Sequence, residues 1–202
     1  MAPDAPNAAD GRRARRERNR VAVIDAMFAL LEERHVPPTV EQVAARAEVS
    51  VSSVFRYFDS LDDLQEQTIA RYFERFAPLF EVPAVEGDRA ARIAALVDSR
   101  LRLYERIAPL AQVARVRAAE QPRFSRTLLE TRRRMAGQVR EHLAPDLAHL
   151  GRAEADDRVA LVDCLTAFEA WDLLARTHGR SRRLIRRAWT YGIEAVLAGP
   201  GA

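Results

Sequence analysis

Residues 39–64 read TVEQVAARAEVSVSSVFRYFDSLDDL, and the order of caps and apolar positions within this stretch decides how the chain folds. Thr39 and Gln42 stand at the spacing where each side chain satisfies the other residue's free backbone N–H, so a helix opens at Thr39. Val40, Val43, Ala44 and Ala47 fall on one side of it. Ser50 is the next N-cap, and Val54, Phe55 and Phe58 give a further short helix its apolar side. Two short helices joined by about three residues form a helix-turn-helix arrangement. Ser60 and Asp63 repeat the capping pattern and open a longer helix through Leu64, Ile69, Tyr72, Phe73 and Phe76, ending near Pro78.

Outward from this stretch the pattern stays helical. Val21, Ile24, Met27, Phe28 and Leu31 recur at helical spacing up to about Arg34, and Pro37 and Pro38 stop that first helix. Met1 to Asp10 has no periodicity and is expected to be a disordered leader. Residues 11–20 hold six Arg against the single acid Glu17, whereas residues 21–88 carry an excess of acid. The basic charge therefore sits in an N-terminal arm, suited to a polyanion because each Arg placed on a phosphate releases counterions. After a connection over 81–88, breakers at Pro109, Pro122, Pro145, Gly151 and Gly179 predict helices near 89–107, 110–118, 124–143, 154–177 and 180–198.

Composition agrees with an all-α chain. Of 202 residues 48% are apolar, which excludes a disordered chain, while 8 Gly and 10 Pro fall short of the turn density of a sandwich or barrel. The 32 cations are all Arg, and the net charge of +3 decides nothing. No apolar run approaches the roughly 20 residues that cross a bilayer, and no signal-like segment is present, so a cytoplasmic protein without membrane partners is expected. The single Cys164 excludes an internal disulfide or a Cys-rich zinc site, and the four His show no metal spacing. No G-x-S-x-G, Gly-rich phosphate loop, H-E-x-x-H or Asp-rich metal loop occurs, so neither an enzyme nor a cofactor is expected.

The match at Thr39, Val43, Ala44, Ala47, Val49, Ser50, Val54, Tyr57, Phe58, Ser60 and Leu64 resembles the helix-turn-helix of the TetR/AcrR family of transcriptional regulators. The resemblance covers roughly residues 21–69; beyond it, only length and helical layout agree. It implies an N-terminal three-helix DNA-binding domain followed by a helical ligand-binding and dimerisation domain. The expected division is a disordered basic arm over 1–18, the DNA-binding domain over 19–66 and the effector-binding and dimerisation domain over 67–202.

Carried over, the resemblance implies that Thr39 and Ser50 donate to phosphates at two helix N-termini. Val51, Ser52 and Ser53 then front a recognition helix in the major groove, with Phe55, Arg56 and Tyr57 behind them. Arg12, Arg13, Arg15 and Arg16 supply phosphate or minor-groove contacts. Three positions depart from the family pattern: Glu48 stands at the turn glycine, Phe55 at a tyrosine and Leu61 at a lysine. At position 48 the turn has to accept a left-handed non-glycine residue or take another geometry. A hydroxyl and a cation are lost at the other two, which the Arg arm compensates.

In the C-terminal half, helix 154–177 is apolar almost all round and the last helix has a wide apolar arc, so each needs two burial partners. One partner is the domain core; the other, as the resemblance implies, is a second subunit meeting Leu165, Leu173, Trp189 and Ile193. Tyr104, Phe124, Met135, Phe168 and Trp171 are the expected lining for a small apolar or amphipathic effector. The whole reads as a homodimeric, ligand-responsive repressor on a palindromic double-stranded DNA operator. The alternative, motivated by Phe55 and Leu61, is a helical protein-interaction module that has lost specific DNA binding.

Overall fold

The computed structural model describes residues 8–34, 37–120 and 122–199, with the side chains of 8–10, 34, 120, 123 and 124 left aside. All regular structure among them is helical. The chain divides into two compact units, Met1–Arg75 and Phe76–Ala202.

The first unit holds α1 (Ala8–Arg34), α2 (Val40–Arg46), α3 (Val51–Tyr57) and nearly all of α4 (Leu61–Phe76). Val23, Ile24, Met27, Phe28 and Leu31 of α1 are buried together with Val43 and Ala44 of α2, Val54 of α3, and Phe58. Leu64, Ile69 and Tyr72 complete this core from α4, and the Tyr72 ring stacks on Phe28 at 4.7 Å between centroids. That stack keeps α4 with the N-terminal core, whereas a division at 66/67 would have cut the helix after its first turns.

Both expected caps on α2 and α3 form. Thr39 Oγ1 accepts from Gln42 N–H while Gln42 Oε1 accepts from Thr39 N–H, the reciprocal pair that satisfies two orphan donors. Ser50 Oγ accepts from Ser53 N–H at 3.1 Å. Ser60 Oγ likewise accepts from Asp63 N–H at 3.0 Å, but the Asp63 carboxylate turns back to Asp59 N–H instead of closing on Ser60.

The α2–α3 turn answers the question posed by Glu48. Val49 N–H donates to Ala44 C=O at 3.0 Å and Glu48 N–H to Ala45 C=O at 3.3 Å, a Schellman ending with Glu48 at φ 55°. The left-handed geometry is thus kept without glycine, and the Glu48 Cβ carries the strain. Glu48→Gly is expected to raise stability by about 0.5–1 kcal/mol, the steric relief outweighing the extra chain entropy of glycine. Chemical denaturation checks this, and a lower midpoint for the variant would show the turn to be unstrained.

The basic arm expected to be disordered over 1–18 is, from Ala8 onward, the start of α1. The Arg run carries no helix breaker, and Arg has high helix propensity, so the helix nucleated by the buried stripe from Val23 extends back through it. Residues 1–7 lie outside the described residues.

The second unit contains a 3-10 turn (Ala77–Phe80), α5 (Arg89–Glu120), α6 (Pro122–His142), the one-turn α7 (Ala144–Leu147), α8 (Arg152–Leu165), α9 (Phe168–Asp172), a π-helical turn (Leu173–Thr177) and α10 (Arg182–Ala198). α5 runs through the middle, packed on α6 and α10, and α10 packs in turn on α8. Its core is built from Ile93, Leu96, Val97, Leu101 and Leu103 of α5 with Val139, Val162, Ile185, Trp189 and Ile193.

Two breaks fall elsewhere than the sequence predicts. Pro109 lies inside one continuous α5 and does not divide it in two. The carbonyl that loses its donor belongs to Glu105, an exposed residue whose backbone water can reach, and the buried residues on both sides hold the helix straight through. Conversely, the helix expected over 154–177 is interrupted: Thr166 and Ala167 leave helical geometry, with Ala167 at ψ 159°. Thr166 Oγ1 donates back to Val162 C=O and Tyr104 Oη donates to Thr166 C=O, both at 2.8 Å. A tyrosine from α5 thereby takes the carbonyl that a continuing helix would use.

Asp146 of α7 ties α5 to the end of α6. Its carboxylate is buried and accepts from Arg89 Nε at 2.8 Å and Arg92 Nη2 at 2.9 Å. Burial alone would raise its pKa, but the hydrogen bonds from Arg89 and Arg92, with their charges, hold it below the ordinary 3.8. With the folded pKa depressed, the stabilisation is present above the unfolded value near 3.8 and is lost as pH falls through the lower folded value. Acid titration followed by circular dichroism should show Asp146→Asn losing part of the wild type's acid-dependent destabilisation below pH ~4; identical acid limbs would remove Asp146 from this role.

Candidate nucleic-acid interface

α3 presents its residues as its cap and core dictate. Val54 is buried, which fixes the helix rotation and turns Ser52, Phe55 and Arg56 outward. Ser52 is exposed, Val51 and Ser53 are half-buried, and Phe55 is 50% exposed. Ser50 Oγ lies 2.9 Å from both Ser52 Oγ and Ser53 Oγ, so three hydroxyls cluster over the α3 N-terminus. Thr39 is exposed at the start of α2; its Oγ1 accepts from Gln42 N–H, and its hydroxyl hydrogen-bonds the Glu41 carboxylate, holding that group below its ordinary pKa.

The first turns of α1 flank α3. Arg12, Arg15, Arg16 and Asn19 line an open groove with Ser50, Ser53, Arg56 and Tyr57, and Glu48 is the acid in that lining. Arg12, Arg16 and Asn19 share this face because they recur at helical spacing. Arg13 is exposed but is not part of the groove. Arg16 Nη2 donates to the Arg56 carbonyl at 3.2 Å, and Asn19 Nδ2 donates to Tyr57 Oη at 3.0 Å, so α1 is fastened to the recognition helix at two points.

Arg56 folds over its neighbours. Its Nη2 donates to Ser53 Oγ at 3.0 Å, and its guanidinium lies 5.4 Å from the Tyr57 ring centroid. The Asn19 hydrogen bond, then that of Arg56 and the nearby charges of Arg56 and Arg15, lower the Tyr57 pKa. With its lone pairs taken by Asn19 and Arg56, the phenol's remaining capacity is its O–H, a donor suited to a phosphate oxygen. Asn19 escaped the sequence reading; its one visible signal was being the uncharged polar residue on the Arg12–Arg16 face.

In the C-terminal unit three residues of the expected effector lining are brought together. Tyr104 and Phe168 are buried and Trp171 half-buried, with ring centroids 5.6 Å apart for Tyr104–Phe168, 6.2 Å for Tyr104–Trp171 and 5.5 Å for Phe168–Trp171. Rings at these separations are in contact, so the three form one aromatic cluster. Phe168 borders an open depression with Gln112, Arg115 and Leu173, and Arg115 stacks over its ring at 4.1 Å. Met135 is half-buried on α6. The Phe124 side chain lies outside the described residues.

The expected subunit-contact residues separate into two groups. Trp189 and Ile193 are 2% and 0% exposed within the chain itself, Trp189 meeting Tyr104 edge to face at 6.3 Å, so they are corrected to core residues. Leu165 is half-buried against Gly192, and Leu173 is 51% exposed. The exposed apolar residues outside the expected contact set include Leu161, 55% exposed on α8, and Tyr191, 77% exposed on α10.

No protein-family profile and no curated protein sequence matches the chain. Among solved structures, a transcriptional regulator from Rhodococcus sp. Rha1 is similar at 26% identity and TM-score 0.62, covering 91% of this chain and 96% of that one. A TetR-family regulator from Mesorhizobium loti MAFF303099 matches at 16% identity and TM-score 0.63, covering 91% and 97%. A regulator of the TetR/AcrR family from Aquifex aeolicus VF5 matches at 14% identity and TM-score 0.58, covering 87% and 98%.

Proposed function

From the fold of the TetR/AcrR-family transcriptional regulators, which this chain has, we infer a DNA-binding regulator that acts as a repressor, binding a palindromic operator as a homodimer. The observation that carries the reading is the recognition helix: Ser52 and Arg56 exposed on α3, beside a groove lined by Arg12, Arg15 and Arg16. Arg cations beside the helix neutralise phosphates and set its depth, while side chains on the first turns of α3 read base edges. Lacking an Arg at position 51, readout leans on thymine-methyl contact by Val51 and on the Ser52 hydroxyl. Among the described residues no helix is long and apolar enough to cross a membrane, in keeping with a cytoplasmic regulator.

Selection of binding sites from random DNA by the purified protein at low salt tests this. Enrichment of an inverted repeat with half-sites about one helical turn apart is expected, and Ser52→Ala should change the preferred bases. No enrichment would instead favour a helical protein-interaction module.

For the dimer, the outward residues Leu161 of α8 and Tyr191 of α10 support a face built by these two packed helices. Paired in a second subunit, they bury apolar surface that the isolated chain exposes. Leu161→Glu with Tyr191→Glu should leave a folded monomer in light scattering, because a desolvated carboxylate opposes association. A wild-type chain that is monomeric at micromolar concentration would refute the face.

The effector is read as a small apolar or amphipathic molecule. The aromatic cluster of Tyr104, Phe168 and Trp171 supports an apolar or amphipathic body for it. Release follows a two-state scheme in which the ligand favours a spacing of the recognition helices that no longer fits the operator, by no more than its differential affinity for the two states.

A further inference from the structure

The C-terminal unit buries a guanidinium whose direct hydrogen-bond partners are all neutral. Arg100, on α5 one turn before Tyr104, is 1% exposed. Nη1 donates to Gln138 Oε1 at 3.0 Å and Nη2 to the Met135 carbonyl at 2.9 Å, both neutral acceptors on α6. Nε has no hydrogen-bond partner, and each Nη keeps a second N–H. No ion pair involves Arg100 among the described residues. Burial pulls its pKa down, against the charge effects of Tyr104 and Asp163, but a guanidinium remains protonated in a protein. A full positive charge therefore stands in a low-dielectric core facing neutral acceptors, an arrangement that stability alone does not favour.

Its surroundings specify what would complete it. A carboxylate accepts two N–H groups from one guanidinium, the strongest pairing available to Nε and an adjacent Nη. Asp163 is half-buried, and its charge favours the Arg100 cation without an ion pair between them. One turn along α5 the rings of Tyr104, Phe168 and Trp171 supply an apolar surface, of which Trp171 is half-buried. We propose that Arg100 anchors the carboxylate of the effector, a monocarboxylate whose aliphatic or aromatic body packs on this ring cluster.

The proposal deepens the regulator reading and rests on it only for the consequence, release from DNA. Binding itself is measured without DNA, so the two readings fail separately. The probes are straight-chain carboxylates from butanoate to dodecanoate, together with phenylacetate, each against its primary alcohol, by thermal shift and calorimetric titration on the full chain. At least one carboxylate should raise the melting temperature and bind about tenfold or more tightly than its alcohol, the range for a hydrogen-bonded charge. Arg100→Gln removes the charge and keeps an amide donor for α6. It should fold with a melting temperature at or above the wild type and lose the carboxylate preference, while Arg100→Lys, still charged, should retain part of it. No stabilisation by any carboxylate, equal binding of the alcohols, or an unchanged preference in Arg100→Gln each overturns the proposal. So does melting of both variants well below the wild type, which would make Arg100 structural. Carboxylate binding in a protein that enriches no operator would sink the regulator reading instead.

Discussion

Removing residues 1–16 should weaken DNA binding at 0.1 M salt by roughly a hundredfold to a thousandfold, across all sequences alike. Three cations facing the α3 groove are lost, Arg12, Arg15 and Arg16. Each phosphate contact contributes about 0.9 to the slope of log affinity against log salt, so the slope should become shallower by about 3. The truncation also removes the hydrogen bond from Arg16 to the Arg56 carbonyl, loosening the recognition helix where α1 holds it. Single substitutions separate the geometry from mere charge: Arg13→Ala should cost little, because Arg13 does not line the groove, while Arg12→Ala and Arg16→Ala should each reduce the slope by about 1. Fluorescence anisotropy over a salt series measures this. A truncated protein with an unchanged slope would show that the α1 turns never approach phosphate.

Trp189→Ala is expected to cost about 3–5 kcal/mol of folding stability, the usual penalty for deleting a large buried aromatic. Trp189 is 2% exposed on α10 and packs edge to face on Tyr104. For a chain of this size that corresponds to a fall in melting temperature of roughly 6–20 °C. Because the side chain belongs to the subunit's own core, protein that remains folded should keep its oligomeric state. Calorimetry and light scattering on one sample decide the matter. A folded monomer with an unchanged melting temperature would return Trp189 to a subunit interface.

What the sequence by itself determined lies where local signals act within a few residues. Thr39 with Gln42, and Ser50 with Ser53, set two helix starts through hydrogen bonds spanning three residues, and the apolar positions Val43, Ala44, Val54 and Phe58 chose the buried faces of α2 and α3. The all-helical class and the helix-turn-helix followed from these. Glu48 at the turn was legible as a question, and the Schellman hydrogen bonds answered it.

The rest was decided by partners distant in sequence. The break at Thr166 depends on the hydroxyl of Tyr104, 62 residues away, and no window around Thr166 contains that donor. Pro109 stays inside α5 because the flanking residues are buried by α6 and α10, which outweighs a lost backbone hydrogen bond. Periodicity marked Leu165, Leu173, Trp189 and Ile193 as apolar without saying which of them the chain would bury against itself. Asn19 became part of the α3 site only once α1 crossed beside Tyr57, and Arg100 became a buried guanidinium with neutral hydrogen-bond partners only once α6 offered it those acceptors. A sequence pattern records the tendency of each residue to leave water. Which neighbour it meets there, and whether that neighbour satisfies it, depends on the packing of whole helices, and that packing exists only in the tertiary structure.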